Sequence, residues 1–145
     1  LLGDWVFGCD ICQEVCPVNE SARLADHPEL ALPEQRAELD LAGLLNLSRP
    51  AYVEIFRGSA MKRAKLEGLQ RNAAVAMGNS GSPRYLPALT RALEEGESTV
   101  KRHAAWALGK IGGLQARRAL KEARNREADQ ALLTEIDVAL EVESP

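Results

Sequence analysis

The sequence predicts a mostly α-helical protein in two unequal parts, a short cysteine-bearing segment and a longer array of paired helices. Three observations predict it. Aromatic residues make up only 4% of the 145, while alanine and leucine abound, which favours helices over a sandwich or barrel. All the cysteines (Cys9, Cys12 and Cys16) fall near the start of the chain. Finally, "RNAAVAMGNSG" (71–81) returns as "RHAAWALGKIG" (102–112), 31 residues later, the mark of a repeat architecture.

The cysteine segment comes first. Its spacing is C-x2-C-x3-C, closed by Pro17. This matches the last three cysteines of the bacterial ferredoxin run C-x2-C-x2-C-x3-C-P, whose final cysteine ligates a second cubane cluster. The first cysteine of that run would fall at Val6. The short gap lets Cys9 and Cys12 reach neighbouring irons, and the longer gap with Pro17 turns Cys16 away. Trp5, Val6, Phe7, Ile11 and Val15 are at hand as an apolar shell. Other readings stand beside this one: a buried set of structural thiols, a disulfide with one spare thiol, and a zinc site. An odd cysteine count argues against an oxidising compartment. Zinc wants four ligands, and His27 is the nearest candidate for the fourth. However, it lies far from Cys16, in a turn-like His27-Pro28 stretch. The cubane pair is the favoured reading. Three cysteines cannot complete two clusters, so further ligands are expected from residues before Leu1 or from another chain.

Residues 18–33, with Asn19, Ser21, Pro28 and Pro33, read as an irregular connector, and residues 34–39 as a helical turn. Asp40 is an N-cap signal for a helix over 41–47, with Leu41, Leu44 and Leu45 on one face. Ser48-Arg49-Pro50 starts another, carrying Tyr52, Val53 and Phe56 inward and ending at Gly58. A domain boundary is expected between Arg57 and Lys65. In the repeats, each motif helix is followed by a second helix, over 83–95 and 114–126. A degenerate third copy starts at Asp129, where "EIDVAL" (135–140) echoes "HAAWAL" (103–108). Val100, Ala104, Ala107, Leu108 and Ile111 form one helical stripe. Ser82, Ser98 and Asp129 are cap signals, and Gly96 and Gly112-Gly113 are stops. Such units cannot bury their apolar faces alone and must stack.

Charge is uneven along the chain. Residues 57–126 carry fifteen basic and five acidic side chains, whereas residues 127–145 carry six acidic and no basic ones. A basic block of this size suggests a polyanionic partner; the alternative is a solvated helical surface. Arg117, Lys121 and Arg124 share one face of the second repeat's second helix. Arg84 and Arg91 take the matching face one repeat earlier, and Lys62, Arg63 and Lys65 cluster ahead of the repeats. Stacked repeats would set the first two rows side by side. These eight are the candidate nucleic-acid contacts, through sequence-independent phosphate attraction. Arg71 and Arg102 recur at one repeat position, suited equally to an acid partner or to phosphate. Trp106 reads as core and His103 as helix surface. Nothing resembles a general acid, a nucleophile or a phosphate loop, so no catalytic residue is assigned. No apolar run approaches the eighteen residues of a membrane span, and no signal-peptide pattern opens the chain.

"FGCDICQEVCPVN" (7–19) resembles the second cluster motif of the epoxyqueuosine reductases, cobalamin-dependent enzymes of queuosine synthesis on tRNA. It departs at Val18, where the family usually carries tryptophan. The stretch 58–79 resembles that family throughout, and the repeats resemble the short HEAT-like repeats of the phycobilin-lyase type that form its C-terminal part. The resemblance implies a fold and a division of the chain. Residues 1–33 would end a ferredoxin-type cluster-binding segment, residues 34–60 would be connecting helices, and residues 61–145 a HEAT-like α-α superhelix. It also implies two 4Fe-4S clusters in the full-length protein, with Cys9 and Cys12 serving one and Cys16 the other. Cobalamin and the catalytic acid would belong to a missing upstream part. The chain is then expected to be a C-terminal fragment of a cytoplasmic, monomeric tRNA-modifying oxidoreductase. It would bind tRNA, take electrons from an unidentified donor protein, and make no use of a membrane. Two alternatives are a repeat scaffold with a zinc-stabilised N-terminus and a ferredoxin-like electron carrier.

Overall fold

The two short helices ahead of the repeats start where a side chain satisfies the backbone. The structure, a computed structural model, describes residues 3, 5–22 and 40–141. Among them, α1 is a single turn, Ile11–Glu14, followed by a 3-10 turn at Asn19–Ser21. The expected turn over 34–39, the connector beyond residue 22, and His27 lie outside the described residues. Asp40 accepts a hydrogen bond from the Gly43 amide and opens α2 (Leu41–Leu45). Ser48 does the same for Ala51 at 3.4 Å and opens α3 (Arg49–Ile55), with Pro50 in its first turn. Both helices stop short of their expected ends. Val53 is 42% exposed rather than inward. Tyr52 and Phe56, four residues apart, take the inner face instead, their rings 5.5 Å apart.

The repeats follow as α4 (Lys65–Ser80), α5 (Leu86–Glu95), α6 (Ser98–Ile111), α7 (Gly113–Arg126) and α8 (Gln130–Glu141). A 3-10 turn, Pro83–Tyr85, leads into α5, so the second helix of the first repeat begins later than its Ser82-Pro83 signal. Ser98 is not a cap. Glu97 holds that place, and the Ser98 hydroxyl donates to Asp129 Oδ2 at 3.1 Å. Asp129 also accepts from the Ala131 amide at 2.9 Å. These two bonds, the backbone one first, hold its carboxyl below the ordinary range.

The chain stacks in two layers. Helices α4, α6 and α8 pack side by side, and α5 and α7 cover them from behind. The expected stripe is buried at Val100, Ala104, Ala107 and Leu108. Leu69, Met77, Leu89, Leu120, Leu132 and Ile136 complete a core from which water is excluded; each such side chain stabilises by roughly 1.5–3 kcal/mol. Leu44, Leu45, Tyr52 and Phe56 belong to the same core. Gln70 donates to the Leu45 and Leu47 carbonyls at 2.9 and 3.2 Å, satisfying the free carbonyls at the end of α2.

Two glycines set the spacing of the first layer. A Cβ on Gly78 would lie 2.6 Å from Trp106 Cζ3 and 3.0 Å from the Ala107 Cα. One on Gly109, the matching residue of the next repeat, would lie 2.7 Å from the Ala139 Cβ and 2.9 Å from its Cα and carbonyl oxygen. The repeat therefore needs glycine here because adjacent backbones meet. At the first residue of α4, Lys65 takes φ 58 and ψ 166, next to a region that is essentially glycine's own.

Candidate cluster-ligand loop and nucleic-acid interface

The cysteine loop is built by left-handed backbone at Gly8 (φ 65) and Asp10 (φ 49). The first favours glycine, and aspartate tolerates the second. These turns present Cys9 before α1 and Cys12 within it, and Cys16 follows after one more turn. All three are free thiols, Cys9 and Cys12 exposed and Cys16 half-buried. Among the described residues, no three His, Cys, Asp or Glu side chains converge as one metal site. The donors the loop offers are three thiols, the ligand type an iron–sulfur cluster takes.

The apolar shell expected around the cysteines is open. Val6 packs against the core, but Trp5, Phe7, Ile11 and Val15 are exposed, Val15 at 70%. Their covering surface is not contributed by the described residues.

What holds the loop was missed from sequence. Asn72, on α4, donates to the Val6 carbonyl at 2.6 Å, and Asn79, seven residues on, donates to the Gly3 carbonyl at 2.6 Å. Arg71 in turn grips the Asn72 side-chain oxygen with Nε and Nη2, at 3.0 and 2.9 Å. Trp5, Val6, Phe7, Gly8 and Cys9 face Arg71, Asn72 and Val75 across a cleft of about 290 Å³. The signal was the i, i+7 spacing of two asparagines, which puts both on one face of α4. A neighbouring cleft of about 270 Å³ is lined by Val75, Arg102, His103, Trp106 and Glu135. Trp106 is thus only partly buried, its outer edge on that cleft. His103 Nδ1 lies 2.8 Å from the Thr99 carbonyl oxygen.

The eight candidate phosphate contacts separate by their partners. Arg91 pairs with Glu95 at 2.9 Å, and Arg124 with Asp137 of α8. Arg84 lies over the Tyr85 ring, 4.5 Å from its centre. Lys62, Arg63, Lys65, Arg117 and Lys121 have no ion pair among the described residues, and Lys62, Arg63, Lys65 and Lys121 are exposed while Arg117 is half-buried. The two rows do not lie side by side. Arg91 shares a groove with Arg118, Gln115 and Glu122 on one flank of α7, whereas Arg124 reaches α8 on the other. Acids beyond residue 126 neutralise part of the basic block: Glu127 meets Lys101, and Glu135 meets Arg102, each at 3.9 Å. Hydrogen bonds from Arg124 to Asp137, and from Arg118 to Glu122, hold those carboxyls below their ordinary range.

With fold and loop in view, the wider family follows. The family model for HEAT repeats matches residues 58–141, and the chain belongs to that family of stacked helical pairs. Its relatives are more specific. It is 33% identical to the epoxyqueuosine reductase of Bacillus cereus and 32% identical to that of Bacillus subtilis, in each case over 97% of this chain and 37% of the relative. It superposes with a TM-score of 0.87 on the crystal structure of an epoxyqueuosine reductase with an epoxyqueuosine-modified tRNA stem loop. There the identity is 31%, over 97% of this chain and 38% of that one. The Bacillus subtilis enzyme gives the same TM-score at 30% identity, over 99% of this chain and 39% of that one. The chain thus spans about 37% of the length of the curated relatives it matches. No helix of the described residues is long and apolar enough to cross a membrane.

Proposed function

We propose that the chain is the C-terminal part of an enzyme that reduces epoxyqueuosine to queuosine in tRNA, joining a cluster-ligand loop to a tRNA-docking repeat domain. One observation carries this: the likeness to epoxyqueuosine reductases covers 97% of this chain in both sequence and superposition, and so takes in the cysteine loop as well as the repeats. Cys9 and Cys12 would hold one 4Fe-4S cluster and Cys16 another, with the remaining ligands upstream. Bound there, the clusters supply single-electron relay toward cobalamin in the rest of the protein. The chain's own task is to fix the thiols: Gly8 and Asp10 shape the loop, and α4 anchors its backbone. A cytoplasmic setting accords with three free thiols.

The repeats would hold tRNA through the phosphate backbone. Lys62, Arg63, Lys65, Arg117 and Lys121, which have no ion pair among the described residues, would lead, with Arg84, Arg91 and Arg124 in support. Lys65 favours this reading. Its backbone geometry costs roughly 1–3 kcal/mol for a residue other than glycine, and it sets an exposed ammonium at the start of α4.

Binding of a tRNA stem loop to the full-length protein tests the docking role. With about five phosphates neutralised, log affinity should fall against log salt with a slope of roughly −4. Arg117→Glu with Lys121→Glu should flatten that slope by about two, whereas Arg91→Ala alone changes it by well under one. Lys65→Gly should weaken binding while raising thermal stability. Salt-independent binding, or a double variant with the wild-type slope, would refute the docking role.

A further inference from the structure

The face of α4 that carries the cysteine loop bears an arginine, Arg71, with no acidic partner among the described residues. Arg71 and Arg102 occupy the same position in successive repeats. Arg102 has the Glu135 carboxylate at 3.9 Å. Arg71 has no acid among the described residues; both of its bonded donors go to the neutral Asn72 amide. That fork also fixes which way the amide faces. Its oxygen is committed to Arg71, so its nitrogen is turned to the Val6 carbonyl. The bond anchors the loop three residues before Cys9, and the guanidinium and Cys9 line the same half-open cleft. Val6 and Asn72 are both partly buried, where water screens charge less than on an open surface.

Resting on the cluster reading above, we infer that Arg71 and Asn72 are the positioning and tuning residues of the centre ligated by Cys9. Asn72 fixes the backbone from which the thiolate projects. Arg71 supplies a fixed positive charge that favours the form carrying one more electron, so it raises the reduction potential of that centre. Polar groups near cluster sulfurs and their hydrogen bonds are established levers on such potentials. The inference also gives α4 two duties at once: it is the first helix of the repeat layer and the anchor of the redox loop.

The test is a potentiometric titration of the full-length protein, reconstituted anaerobically with iron and sulfide, reduced with dithionite and followed by electron paramagnetic resonance. Arg71→Gln should shift the reduced-to-oxidised ratio of one centre about tenfold toward oxidised at a given potential, a lowering of about 59 mV for one electron. Arg71→Lys, which keeps the charge, should hold the midpoint close to the wild-type value. Arg102→Gln, whose charge already has a carboxylate beside it, should leave both midpoints in place. Asn72→Asp keeps the side chain's volume but places a negative charge on Arg71. It should lower the same midpoint and change that centre's line shape, so the inference remains testable if Arg71→Gln folds poorly. Unchanged midpoints and spectra in cluster-loaded Arg71→Gln and Asn72→Asp would overturn it. If the wild-type protein takes up no cluster, or Cys9→Ser leaves both centres intact, the cluster reading itself fails and takes this inference with it.

Discussion

Cys9→Ser or Cys12→Ser in the full-length protein should abolish one iron–sulfur centre and lower reductive turnover by at least about 100-fold. Changes to groups that merely support a metal ligand already cost 10–100-fold, and loss of the ligand itself exceeds that. Cys9 and Cys12 are free and exposed, outside the repeat core, so serine at either position should leave the repeats folded. Iron and labile-sulfide content should fall toward half, with one set of resonances lost and one kept. Cys16→Ser should remove the other set. This division separates two clusters from a zinc-stabilised scaffold, which would contain colourless zinc and no sulfide. Loss of both centres from any single substitution would contradict the split assignment of the ligands.

Gly109→Leu should be the most damaging change in the repeats. Overpacking usually costs 1–3 kcal/mol, but here the first added carbon already meets the Ala139 Cα and carbonyl at 2.9 Å. Backbone cannot rotate away as a side chain can, so α6 and α8 must separate. A cost of about 3 kcal/mol or more is expected, a large share of an ordinary domain's stability. Thermal melting should fall by roughly 10 °C. Gly68→Ala is the opposing control. Its Cβ would sit 3.8 Å from the Ala64 Cβ, an ordinary contact, and replacing glycine within a helix stabilises by up to about 1 kcal/mol. Melting curves of the two variants should therefore move in opposite directions. Equal shifts would mean that helix spacing is not set at the repeat glycine.

The contrast between these residues shows what the sequence makes legible. The 31-residue return marked both repeats and aligned Gly78 with Gly109, because stacked units reuse one solution to one packing problem. It could not show that a tryptophan edge meets the first glycine and an alanine backbone the second. The spacing of Cys9, Cys12 and Cys16 was readable because the three lie within eight residues of one another. Their anchorage was not, since Asn72 and Asn79 lie 66 and 76 residues from the carbonyls they hold. Helical faces placed Arg117, Lys121 and Arg124 together, but pairing depends on the next helix. Asp137 therefore claims Arg124 and leaves Lys121 open. Val53 was misplaced for a similar reason: alternation of apolar residues in a seven-residue helix does not decide which two of three face the core.

One measurement bears on the central claim most directly. The full-length protein, cobalamin-loaded and with both clusters reconstituted, would be given an epoxyqueuosine-containing tRNA stem loop and a low-potential reductant, and the modified nucleoside would be followed by mass spectrometry. Loss of one oxygen, giving queuosine, is the expected result, together with its failure in Cys9→Ser. An intact epoxide after incubation with fully cluster-loaded wild-type protein would contradict the account.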